Sequence, residues 1–154
     1  MNSYDIHLRI AARPRLLRCV RELVRAYLAD CGFGEDQACA VVLAVDEACT
    51  NAIRHSYGGP CDQPLELLLR FGVEGLEVVV ADCGAPLPPE RAVPPEASAP
   101  DPEELRPGGL GLKLIHQVFD EVVFKRGPQG GNRIILRLKT HAPREEKGRE
   151  DHGC

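Results

Sequence analysis

Apolar and polar positions along this chain change period several times, and each change marks an element. Ile6-His7-Leu8-Arg9-Ile10 alternates, which predicts a half-buried strand. Pro14 sits near a helix start, and Leu16, Leu17, Val20, Leu23, Val24, Tyr27 and Leu28 then recur at helical spacing until Gly32 and Gly34 end the run. A second helix is predicted from about Glu35, with Ala38, Val41, Val42, Val45, Cys49, Ala52 and Ile53 on its apolar face and Tyr57-Gly58-Gly59-Pro60 as its stop. Leu65 to Phe71 and Leu76 to Val80 read as two strands turning around Gly72 and Gly75. A third helix is predicted from about Leu110 to Phe119. Val122-Val123-Phe124 and Ile134 to Leu138 form a closing hairpin around Gly127-Pro128-Gln129-Gly130-Gly131.

Between these elements the segment 85–107 holds eight of the chain's 13 prolines and almost no apolar periodicity. A stretch this long inside a compact domain is expected to be a functional lid or a disordered insert. The order β-α-α-β-β-lid-α-β-β, with strands joined by hairpins, predicts an α+β two-layer sandwich. Its sheet would be mainly antiparallel or mixed, with the helices on one face. One domain is expected over residues 5–139, followed by a charged, disordered tail at 140–154.

Composition narrows the function classes only a little. The net charge of -4 argues against broad electrostatic binding to nucleic acid, although Arg13, Arg15 and Arg18 make a local basic patch. No apolar run approaches the ~20 residues of a membrane span, and the first residues lack the pattern of a secretory signal. The 7 cysteines include no Cys-x-x-Cys pair. Cys19, Cys39 and Cys49 are expected as buried thiols and Cys83 as a small packed side chain, which suits a cytoplasmic protein.

Three segments carry candidate chemistry. Glu47 and Asn51, one helical turn apart, project from one face of the second helix, opposite Val45, Cys49 and Ile53. The Asn51 oxygen is a hard, neutral ligand suited to Mg²⁺, and Glu47 can take a proton from a hydroxyl aimed at a γ-phosphate. Asp82 ends the run Val78-Val79-Val80-Ala81, where its carboxylate can accept from an adenine amino group while Gly84 lets the base approach the backbone. The run Gly108-Gly109-Leu110-Gly111-Leu112 opens the third helix, and its exposed amides make an anion site for the phosphates of ATP. Lys113 reads as a phosphate contact or a solvent-facing lysine, His55 as structural, and His7 and His116 as incidental.

In combination and order, these segments resemble the Bergerat-fold (GHKL) ATPases, the superfamily of gyrase, Hsp90, sensor histidine kinases and MutL. Asp46 to His55 and Gly109 to Ile115, continuing through Phe119-Asp120-Glu121-Val122, are most similar to bacterial anti-sigma-factor serine kinases. The resemblance implies a serine/threonine-protein kinase of a partner-switching module. Such a kinase phosphorylates a small STAS-type antagonist and sequesters a sigma factor or an equivalent target. It implies Glu47 as catalytic base, Asn51 as magnesium ligand, Asp82 and Gly84 at adenine, the glycine run over the phosphates, and a homodimer. The alternative reading is a non-catalytic ATP-binding module that sequesters a protein partner. Two departures stand out: Ala85-Pro86 replaces the second glycine of an Asp-x-Gly-x-Gly motif, and Asn132 follows Gly131 where relatives often carry threonine.

Overall fold

A computed structural model describes residues 4–88 and 109–139. Strand β1 (Ile6–Ala11) leads through a single 3₁₀ turn at Pro14–Leu16 into α1 (Leu17–Asp30) and then α2 (Glu35–Asn51). The backbone of α2 widens into a π-turn over Ala52–Ser56 before β2 (Pro64–Gly72) and β3 (Gly75–Asp82). Helix α3 (Gly109–Val118), β4 (Glu121–Arg126) and β5 (Asn132–Leu138) complete the described chain. The five strands form one sheet in the order β1-β2-β3-β5-β4, and every neighbouring pair is antiparallel. The fold is therefore the expected α+β sandwich. Gly108, residues 89–107 of the proline-rich segment and residues 140–154 lie outside the described residues.

The alternation of β2 and β3 explains the layering. Leu65, Leu67 and Leu69 share a face with Val78 and Val80, and this face meets Val20, Val24 and Leu28 of α1, Val41 and Val45 of α2, and Ile115 of α3. Helix α2 lies between α1 and α3, so its two flanks are partly covered while its core stripe is fully buried. The opposite face of the sheet carries a transverse ion-pair ladder along Arg70, Glu77, Arg137 and Glu121, which are successive register partners.

Three cysteine expectations fail for a geometric reason. Cys19 falls between the core positions Leu17 and Val20, and Cys39 follows Ala38, so each points about 100° away from the buried stripe and is exposed. Cys49 is buried as expected. Cys83 is exposed rather than packed, because it follows the buried Asp82 and the strand alternation turns it outward. His7 is not incidental to the sheet, since its Nε2 meets Glu66 at 2.7 Å across the β1–β2 pair.

The end of α2 positions the site. The Tyr57 N–H donates to Ala52 O at 3.2 Å, the wide spacing of a π-turn, and Gly58 and Gly59, both at positive φ, release the chain. This extra residue in the turn brings Ser56 inward, where it is buried. Among the described residues no helix is long and apolar enough to cross a membrane.

Candidate active site

Glu47 and Asn51 leave α2 on the side that faces α3, while Val45, Cys49 and Ile53 are buried behind them. The Asn51 Oδ1 atom is buried and has no hydrogen-bond partner among the described residues. An unpaired buried acceptor costs about 1–3 kcal/mol, so a folded protein retains one where a ligand satisfies it. Asn51 lines a cavity together with Asp82. A neutral, hard oxygen at such a cavity fits Mg²⁺, which accepts few protein ligands beside phosphate and water oxygens.

Glu47 packs against the first turn of α3. A β-carbon placed on Gly111 would overlap the Glu47 carboxylate, so the glycine is what admits that carboxylate beside the helix start. Burial pushes the Glu47 carboxyl above the usual value; Arg54 pulls it partly back and Asp46 adds to the rise. A glutamate raised in this way is a better proton acceptor than an ordinary carboxylate.

Asp82 closes β3 on the inner face and is 8% exposed. Its Oδ1 accepts from the Gly84 N–H and from Asn132 Nδ2, both at 2.9 Å. Both bonds fall on one oxygen, which leaves Oδ2 for a donor on a ligand. Tyr57 braces the strand end: its hydroxyl accepts from the Cys83 N–H at 2.7 Å and donates to Pro64 O at 2.5 Å. Gly84 answers to the protein's own backbone, since a β-carbon there would overlap the Ser56 carbonyl. The Ala85 N–H donates to that same carbonyl at 2.8 Å.

Gly109, Leu110, Gly111 and Leu112 form the first turn of α3, whose unpaired N–H groups suit an anion. Leu112 lines the cavity, whereas Lys113 is exposed. His116 carries a buried Nε2 with no partner among the described residues, and burial lowers its pKa.

Glu47, Asn51, Asp82, Gly111 and Leu112 thus converge where α2, α3 and the end of β3 meet. Reasoning from sequence overlooked Ser56, which reaches the cavity only because of the π-turn, and Phe124 and Ile134, which read as ordinary strand residues. Asn132, noted in the sequence as standing where relatives often carry threonine at a pocket wall, lies opposite Asp82 in the β3–β5 register and is 7% exposed. The cavity holds about 40 Å³. That is room for a few waters, against the roughly 300 Å³ or more of a small-molecule pocket.

The family described as histidine kinase-like ATPase domain matches residues 10–138, which takes in all of these positions. The chain belongs to this family. It is 32% identical over 126 residues to the serine-protein kinase RsbW of Bacillus subtilis, covering 79% of this chain and 78% of that one. It is likewise 32% identical over 122 residues to the RsbW of Bacillus pumilus, covering 76% and 75%. Among solved structures, the SiaB–SiaC complex from Pseudomonas aeruginosa aligns with a TM-score of 0.64 at 16% identity, over 86% of this chain and 88% of that one. The RsbU and RsbW domains of Rv1364c from Mycobacterium tuberculosis align with a TM-score of 0.60 at 21% identity; the match covers 89% of this chain and 33% of that longer one. These two structures share the fold of this member of the histidine kinase-like ATPase family.

Proposed function

We propose that this protein is an ATP-dependent serine/threonine-protein kinase of a partner-switching module. Its phosphoacceptor is a small STAS-type antagonist, and its sequestered target is a sigma factor or an equivalent regulator. The observation that carries the reading is the pairing on α2 of a raised glutamate with an unpartnered, buried asparagine oxygen one turn later. A non-catalytic ATP-binding module would use the asparagine oxygen but gain nothing from the raised glutamate. The serine-protein kinase relatives, aligned over three quarters of both chains, support the same activity. The protein acts in the cytoplasm, as a homodimer, without touching nucleic acid directly.

In the reaction, Asp82 Oδ2 accepts the adenine amino group and the first turn of α3 receives the phosphates. The Glu47 carboxylate removes the proton from an acceptor serine hydroxyl, whose oxygen forms the new bond to the γ-phosphorus. The bond from that phosphorus to the β–γ bridging oxygen breaks, and ADP leaves with the electron pair. Mg²⁺, held by Asn51, would supply neutralisation of the phosphate charge.

The test is intact-mass measurement of antagonist-domain proteins from the same genome after incubation with this protein and Mg-ATP. A gain of one phosphate on a serine or threonine of one of them is expected. A complete panel left unmodified, with ATP demonstrably bound, would overturn the kinase reading.

A further inference from the structure

Asn132 is a buried carboxamide whose inner-face neighbours along β5 are apolar: Ile134 and Leu136. Both ends of the amide are nevertheless engaged. Nδ2 meets Asp82 Oδ1 at 2.9 Å, Ala85 O at 2.8 Å and Ser56 Oγ at 3.1 Å, while Oδ1 accepts from the Leu87 N–H at 3.0 Å. Three acceptors around the nitrogen and an N–H facing the oxygen fix which way the amide points. One side chain thereby ties together the π-turn of α2, the end of β3 and the segment leaving it.

We infer that Asn132 is a positioning residue for nucleotide choice: it orients the Asp82 carboxylate so that the site accepts adenine and rejects guanine. The inference rests on the nucleotide reading proposed above. Adenine presents an amino donor where guanine presents a carbonyl oxygen. A carboxylate with one oxygen occupied by the Gly84 N–H and Asn132 Nδ2 cannot turn to relieve that repulsion. A site built to receive a hydrogen bond rejects the analogue that lacks the donor far more strongly than an apolar wall does. Without the Asn132 amide the carboxylate turns, adenine loses its aligned acceptor and guanine meets less repulsion.

The experiment is calorimetric titration of the full chain with non-hydrolysable ATP and GTP analogues in the presence of Mg²⁺. The wild type, Asn132→Ala and Asn132→Thr are compared, with thermal unfolding recorded for each. For Asn132→Ala, affinity for the ATP analogue falls about tenfold or more, the loss expected for a buried hydrogen bond to a charged group. Affinity for the GTP analogue holds or rises, so the ratio narrows. Asn132→Thr, which keeps one hydroxyl donor, falls between, and it decides the matter if the alanine variant does not fold. Folded variants that keep the wild-type ratio, whatever their melting temperature, would overturn the inference. A wild type that binds neither analogue would instead overturn the nucleotide reading, and this inference with it.

Discussion

Gly111 lies so close to Glu47 that a β-carbon on the glycine would overlap the glutamate's Oε1 and Cδ. The obstacle is the far end of a flexible side chain, so Gly111→Ala moves the carboxylate rather than the helix. The variant is expected to lose phosphoryl transfer by about tenfold or more, because small misplacements of a reacting group are costly. Its stability is expected to hold or rise, since alanine gains up to about 1 kcal/mol over glycine inside a helix. Paired transfer assays and thermal melts check this; an unchanged rate would show that α3 does not set the position of Glu47.

Gly131 offers the opposite case. It has φ +73°, and a β-carbon there would overlap the Asp82 carbonyl and crowd the Cys83 backbone. Backbone cannot step aside as a side chain can. Gly131→Ala is expected to cost about 1–3 kcal/mol in urea unfolding, from the φ strain alone, and to weaken ATP binding by shifting Asp82. A variant as stable as the wild type would contradict the packing at this corner.

The periodicities of α1, α2 and the four strands after α2 were legible because each buries one face, and burial leaves a pattern. The ordered motifs also placed Glu47, Asn51 and Asp82 correctly on their elements, since spacing along a helix or strand fixes direction. The π-turn at Ala52–Ser56 was not legible: its sequence continues a helical pattern, and the turn lies close against Gly84, which is distant in sequence. For the same reason Ser56 and Asn132, which meet only through the β3–β5 register and that turn, carried no signal as a pair. Cys19 and Cys39 misled because a cysteine beside an apolar stripe resembles one within it.

Asn51 should show a separation of stability from function. Removing an acceptor that has no protein partner costs the fold little, whereas removing a metal ligand abolishes use of Mg-ATP. Asn51→Ala is expected to be at least as stable as the wild type without nucleotide, gaining up to the about 1–3 kcal/mol that the unpaired acceptor costs, and to lose Mg-dependent ATP binding in calorimetry. A marked fall in stability would indicate that Oδ1 has a structural partner.

Glu77 makes a pH-dependent contribution on the opposite face of the sheet. Burial pushes its carboxyl up, but hydrogen bonds from Arg137 and Tyr4 and the nearby Arg70 charge outweigh this and hold it below the ordinary 4.5. A depressed carboxyl contributes fully above its unfolded-state value and loses that contribution as pH falls through its folded value. The wild type is therefore expected to melt above Glu77→Gln at neutral pH, with the gap closing below about pH 4.5. A gap independent of pH would assign the effect to shape rather than charge.

The most direct test of the account is the single-turnover rate of phosphoryl transfer to the antagonist, measured against pH for the wild type and Glu47→Gln. Burial of Glu47 predicts an acid limb with an apparent pKa above the ordinary 4.5 in the wild type. Glu47→Gln should lose that limb and at least about a hundredfold in rate, as expected for loss of a general base. It should melt no lower than the wild type at neutral pH, since it removes a carboxyl whose ionised form burial disfavours. A Glu47→Gln enzyme transferring phosphate within about threefold of the wild type, outside the range of general-base effects, would contradict the account.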